Sequence, residues 1–439
     1  MSVTTDGYLL HAHLSERGKM NEALTCENDA DKLKKIKKIN FLKICIADPL
    51  YVLGHMFTSG AIIQSFLLLL GFGEWEVYVY SSIGTFGQVA VMMLMALFSS
   101  RIVKIKRWLA IFSVSLCLPA VLFIIAVVFP SVMSVGYVIA VYVVTLISSL
   151  GLGIRSILGY SLPIQVIGVE NYGRFTGIST AVAGAANFGM SFLHTMLASM
   201  LEYKLLTAWC CVLAIGMMIL SAFIILSLRE ISENVENRDT PTGQSRIAVF
   251  KNRDTYLLVL PNIARGFATG IMNVITVIGI ANSLMQPEQS SYVNIVLQAA
   301  LLIANVVFAT TYKKLSARLM IAVCSVVCAV TLPLCLSFGT VEFLLFYFIA
   351  VAFRYVIDSA IPTLIVEIIP ENQLSAYTSI RMLLYIGAQG IVTLLITPMV
   401  SAVGYGGILI FASAMQIICG TGYVLVSCLH SKRKDVSAK

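Results

Sequence analysis

The sequence predicts an all-α polytopic membrane protein of twelve transmembrane helices arranged as two pseudo-symmetric six-helix bundles, and three observations carry that prediction. Of the 439 residues 58% are hydrophobic and 12% charged, and mean hydropathy is +0.89. So apolar a chain has too little polar surface to fold in water and belongs in a bilayer. Twelve apolar runs of about 20 residues, the length that crosses roughly 30 Å of hydrocarbon, follow one another. The only long hydrophilic stretch between the first run and the C-terminus, REISENVENRDTPTGQSRIAVFKNRD, divides them into six and six.

Taken in order, residues 1–40 form a polar tail that ends in the basic run DKLKKIKKIN and holds no apolar core of signal-peptide length. The first half, 41–228, contains spans at approximately 43–70, 77–99, 108–129, 136–160, 175–200 and 206–227. Residues 229–254, mixing charges with Pro241 and Gly243, read as a water-facing linker. The second half, 255–428, contains spans at approximately 255–282, 290–311, 318–337, 343–367, 376–399 and 406–428, and a basic tail occupies 429–439.

Loop charge sets the orientation. Lys and Arg near helix ends resist translocation, and they collect in alternate loops: Arg101, Lys104, Lys106 and Arg107, then Arg174, then the linker, then Lys313, Lys314 and Arg318, then Lys432, Arg433 and Lys434. The opposite loops carry Glu74, Glu76, Glu202, Glu288 and Glu342 and one basic residue, Lys204. Both termini are therefore expected in the cytoplasm of a multi-pass protein of the cell (plasma or inner) membrane. Ser290, between spans 7 and 8, is expected to be open to an external probe. The turn IIPENQLSAY, acidic yet assigned to the cytoplasm, is the exception. The same distribution of basic residues explains the net charge of +8 without a nucleic-acid partner.

The halves repeat each other. Placing Gln88 on Gln298 superposes Phe98 on Phe308 and Lys104 on Lys314, Pro163 on Pro362 superposes Arg155 on Arg354, and Pro49 on Pro261 superposes Gly54 on Gly266. Span 4, SLGLGIRSILGYSLP, with Gly159 four residues after Arg155, resembles the helix-4 motif of the major facilitator superfamily. The turn VENYGRFTG is similar to the acidic, Gly, Arg, Gly pattern that family often carries between helices 4 and 5. The resemblance covers 40–430. It implies two bundles that rock about a midplane site lined by helices 1, 4, 7 and 10. The loop FSSRIVKIKRW keeps the basic residues of the family's Gly-Asp-Arg-Gly-Arg motif but lacks its Asp and Gly. Span 5, GISTAVAGAANFG, lacks the Pro of the Gly-Pro motif found in the family's drug and proton antiporters, which speaks against a drug exporter.

A charge at mid-membrane costs roughly 2.5–3.5 kcal/mol on the insertion scale, so it faces the bundle interior or water and marks function. Such groups are few: Asp48 and His55 in span 1, Arg155 in span 4, Arg265 in span 7, and Arg354 and Asp358 in span 10. At 100° per residue Asn262, Arg265, Thr269, Asn273 and Thr276 share one face of span 7, as do Asp48, Tyr51, His55 and Ser59 of span 1. Arg354 and Asp358, four apart, are expected to pair. That leaves Arg155 and Arg265 as buried cations, which an anionic group on the substrate would answer. Gln298 and Asn305 in span 8 and Gln389 in span 11 add neutral polar groups, and a neutral sugar held by Asn262, Asn273, Gln298 and Asn305 is the alternative.

The expected function is secondary active transport of a small polar solute, anionic or sugar-like, with proton- or sodium-coupled uptake. An exporter of the same fold is the runner-up, and a channel or a non-transporting sensor belongs to a different class. The chain has no phosphate loop, no metal-ligand cluster and no soluble domain large enough for catalysis, so neither enzymatic activity nor a cofactor is expected. The ten cysteines lie mostly in apolar runs and read as small apolar residues; the partners expected are the bilayer and the solute, with the chain acting as a monomer.

Overall fold

The computed structural model describes residues 32–98, 105–229, 253–311, 314–337, 339–369 and 371–437. Residues 1–31 of the expected tail, most of the linker, the basic residues Arg101, Lys104 and Lys313, and the side chains of the turn 169–174 lie outside the described residues.

The described chain is helical, with no strand. α1 covers 32–56 and α2 Gly60–Leu69, together the first expected span. α3 (Glu74–Phe98), α4 (Ile105–Ser113), α5 (Cys117–Val128), α6 (Val135–Ile167), α7 (Val169–Ala198) and α8 (Tyr203–Leu226) complete the first half. After the linker come α9 (Arg253–Leu257), α10 (Val259–Met272), α11 (Ile275–Ala281), α12 (Ser290–Thr311), α13 (Ala317–Leu334), α14 (Thr340–Ile368) and α15 (Glu371–Ser437).

By length and apolarity, eight of the described helices can cross a bilayer, or nine if the bent pair in span 7 is one span. The figure is below twelve for two physical reasons. α3 and α7 have the length, 25 and 30 residues, but interleave polar residues such as Gln88, Asn187 and His194 with apolar ones. α15, 67 residues long, is two helices joined at Gly404, whose φ of 70° is non-helical.

The helices before the linker pack mainly on one another, as do those after it. The two groups meet along two seams, α3 against α15 and α7 against α12, and α2 also touches α11 and α12. α1 starts eleven residues before the apolar run because its basic turns are tied down: Asn40, 1% exposed, donates to Val166 O at 2.9 Å and Arg229 O at 2.7 Å. Lys43 Nζ and Lys106 Nζ donate to the carbonyls of Ser227 and Leu228, answering the free C-terminal carbonyls of α8.

Small residues bring the helices close, as they must where lipid offers no hydrophobic drive to association. A Cβ on Gly151 would lie 2.6 Å from Ser115 of the α4–α5 junction, and one on Gly153 would lie 3.0 Å from the Gln88 carbonyl of α3. One on Gly270 would lie 2.5 Å from Val392, and one on Gly266 would collide with the Tyr385 carbonyl, both in α15. The glycines of α6 thus set Arg155 against its neighbours, and those of α10 set Arg265 against α15.

Candidate solute cavity and its charged flank

Spans 1 and 7 both break within their length. In span 1, Ser59 Oγ and Thr58 Oγ1 donate to His55 O at 2.8 and 3.2 Å, and Gly60 takes φ +70°, a left-handed value that suits glycine, before α2 resumes. In span 7 the chain bends by 45° between Met272 and Ile275. A broken helix frees carbonyls that lipid cannot satisfy. Here side chains answer them: Tyr80 donates to Thr58 O at 3.5 Å and Tyr347 to Met272 O at 3.3 Å. Gln64 of α2 donates across the halves to Asn273 O at 3.2 Å.

Between the two breaks lies a cavity of about 330 Å³ lined by both halves. Its polar wall is amide and hydroxyl: Gln64, Gln88, Asn273, Asn294 and Gln389, with Ser59, Ser81, Thr85, Thr145 and Ser148. Tyr80 and Tyr347 close its sides, and His55, its Nδ1 3.1 Å from Ser59 Oγ, is the one imidazole. No Asp, Glu, Lys or Arg is among the described lining residues.

The charges form two clusters toward the end of the bundle that carries the termini. Asp48 lies seven residues before His55 on α1, about 10 Å along the helix. Its Oδ1 is 3.6 Å from Arg155 Nη2, and its Oδ2 accepts from Ser179 Oγ at 2.7 Å. Arg155 also donates from Nε to Ser113 Oγ at 3.1 Å and stacks on the Tyr51 ring, 3.1 Å from its centroid. In the second cluster Arg265 donates from Nε (3.0 Å) and Nη2 (2.6 Å) to Asp358 Oδ1, and its guanidinium lies over the Tyr385 ring. Arg354 Nε is 3.9 Å from Asp358 Oδ2 and has no hydrogen-bond partner, nor has its Nη1.

These pairings differ from the sequence expectation. Arg354 is not the main partner of Asp358 although it shares its helix; Arg265, across the interface of α10 and α14, reaches the carboxylate with two N–H groups. Arg155 and Arg265 are both answered by carboxylates, so the two uncompensated cations expected from sequence reduce to one surplus, three arginines against two aspartates. The halves also use opposite polarity: acid on span 1 and base on span 4, base on span 7 and acid on span 10.

The structure brings His55 and Asn273 into the cavity and sets Asp48, Arg155, Arg265, Arg354 and Asp358 in its charged flank. It places Asn262 elsewhere: 1% exposed, it donates to Leu258 O (2.7 Å) and Tyr377 Oη (3.1 Å) and accepts from Tyr423 (2.6 Å), a closed packing network. Gln298 is buried outside the cavity, whereas Gln88, its partner in the repeat expected from sequence, lines it. The polar face expected along span 7 is split because the helix bends at Asn273. Sequence reasoning missed Gln64, Tyr80, Asn294 and Tyr347; Gln64, which with Ser65 interrupts the apolar run AIIQSFLLLL, was the legible signal. Ser290, expected in an open loop, is the first residue of α12 and fully buried against Tyr203.

No protein-family model matches the chain, and no curated protein matches it in sequence. Solved structures do match. A D-xylose-proton symporter superposes with a TM-score of 0.67 at 14% identity, over 88% of this chain and 97% of that one. The nucleoside transporter NupG gives 0.61 at 15% identity, over 90% and 98%. The FucP fucose:proton symporter of E. coli gives 0.59 at 14%, over 90% and 99%, and FucP is described as a major facilitator superfamily transporter. Taken with the broken spans, the central cavity and the two seams, the match across nearly the whole length of each of these proteins establishes that the chain has the fold of the major facilitator superfamily transporters.

Proposed function

We propose that the protein is a secondary transporter that carries a small, neutral, hydroxyl-rich solute by alternating access, with uptake coupled to a proton or sodium ion. The observation that supports this most is the cavity wall: amides and hydroxyls from both halves, meeting at two broken helices, with charges absent from the described lining. Paired amide donors and acceptors suit the vicinal hydroxyls of a sugar or nucleoside, and a site built for such groups rejects solutes lacking them. The xylose, fucose and nucleoside carriers that share the fold are consistent with that chemistry.

In this reading Asp48 and Asp358 are the coupling candidates. Each carboxylate is partly accessible, with 39% and 21% of its side chain exposed, and each has a guanidinium that takes it up when it is deprotonated. Twelve spans in halves 41–228 and 255–428, termini in the cytoplasm of the cell membrane, and a monomeric carrier complete the proposal. With that orientation the contacts of α2 with α11 and α12 lie on the outer side of the cavity. An anionic solute is the second reading, favoured by the surplus charge of Arg354 and its unpartnered Nε and Nη1. Counterflow in proteoliposomes decides: labelled pentoses, hexoses and nucleosides exchange in the first reading, and only carboxylates or phosphates in the second.

A further inference from the structure

The end of the bundle away from the termini holds a cluster that neither the cavity nor the charged flank uses. His194, near the C-terminal end of α7 and 2% exposed, has Nδ1 2.5 Å from Ser291 Oγ of α12. Tyr203, the first residue of α8 and 4% exposed, shares a hydrogen bond of 2.8 Å with Ser290 Oγ. The two rings meet edge to face at 5.6 Å, and the Phe57 ring lies 6.2 Å from the imidazole at the break in span 1. Both serines are fully buried. Each hydrogen bond joins the first half of the chain to the second, and the serines sit just before Val293 and Asn294 of the cavity wall. At the other seam Tyr405 donates to Glu74, again between halves.

We infer that His194–Ser291 and Tyr203–Ser290 form a latch that holds the halves together over the cavity, and that His194 is a positioning residue for transport, setting how often that face opens. The bonds lie where a rocking motion separates α7 and α8 from α12. They are side-chain to side-chain bonds between rigid helices, so they break as units, and on opening all four groups reach water. This inference needs the two halves to rock but does not depend on which solute is carried.

The test is a distance measurement in the full chain in proteoliposomes. Spin labels carried by non-canonical amino acids replace Met200, 76% exposed, and Gln286, also exposed, on either side of the latch, so the native cysteines stay in place. His194→Phe keeps a ring and Ser291→Ala nearly keeps the volume, so both are conservative changes. Each single variant is expected to raise the ratio of long to short distances about threefold, the effect of an average intramembrane side-chain hydrogen bond. The double variant is expected to add nothing beyond either single, because both remove the same bond. Unchanged distances in both singles overturn the latch. A shift in His194→Phe alone, with Ser291→Ala like wild type, also overturns it, since the histidine would then act through packing.

Discussion

Replacing Asp358 with Asn separates the two charge clusters by their energetics. The carboxylate takes two N–H groups of Arg265 at 3.0 and 2.6 Å and faces Arg354 at 3.9 Å, and the arginines are 7% and 6% exposed. Asn keeps the shape and removes the charge, so two buried guanidinium groups lose their counter-ion. Breaking a buried pair in this way costs about 3–5 kcal/mol. Asp48→Asn is milder. Asp48 is 39% exposed, its contact to Arg155 is 3.6 Å, the amide can keep the Ser179 hydrogen bond, and Arg155 retains Ser113 and the Tyr51 face. Its cost is about 1 kcal/mol, as for a solvent-reached pair. The gap of roughly 2 kcal/mol or more is at least thirtyfold in an unfolding equilibrium constant. Thermal unfolding in detergent, followed by tryptophan fluorescence, should place Asp358→Asn clearly below Asp48→Asn. The pair Arg265→Gln with Asp358→Asn should recover part of the loss, because it removes both charges at once. Equal destabilisation by the two single changes, or a double variant worse than Asp358→Asn alone, refutes the assignment of Arg265 and Asp358 as the dominant pair.

Asp358→Asn is also expected to abolish gradient-driven accumulation while leaving counterflow, measured side by side in the same proteoliposomes; a mutant that still concentrates solute excludes Asp358 as the coupling group. Asn273→Ala or Gln389→Ala, each removing a cavity amide, should raise KM about fivefold with kcat retained, the worth of roughly one neutral hydrogen bond. Gly266→Leu, whose side chain meets the Tyr385 carbonyl and Ala388, should cost about 1–3 kcal/mol by overpacking, read as a lowered unfolding temperature.

Class and architecture were legible because they rest on properties read locally. Apolar run length needs no knowledge of packing. Six of the charged or titratable positions were legible for the same reason, that a costly group inside an apolar run stands out, but Arg381 in span 11 and His194 in span 5 were passed over. The partners of the six were not legible. Periodicity identifies neighbours on one helix, so it chose Arg354 for Asp358, whereas Arg265 reaches it from another helix, α10, a contact that no single-helix pattern shows. The breaks after Met56 and Met272 were illegible because Ser59 and Asn273 fit the polar faces of uninterrupted helices, and nothing in their spacing marks a break. The bend at Asn273 splits the polar face of span 7, and Asn262 lies in a closed network with Tyr377 and Tyr423. His194 lies in the apolar run of span 5, and only the approach of α12 gives it a partner from the other half.

The central claim is that a neutral, hydroxyl-rich solute sits among Gln64, Asn273, Asn294 and Gln389. The most direct measurement is counterflow of labelled neutral sugars and nucleosides in proteoliposomes of the wild type and of Gln64→Ala, with carboxylates and phosphates as competitors. The account predicts saturable exchange of at least one neutral solute, an apparent affinity weakened about fivefold by Gln64→Ala, and no inhibition by the anions. Exchange confined to anionic solutes, with affinity untouched by Gln64→Ala, would contradict it.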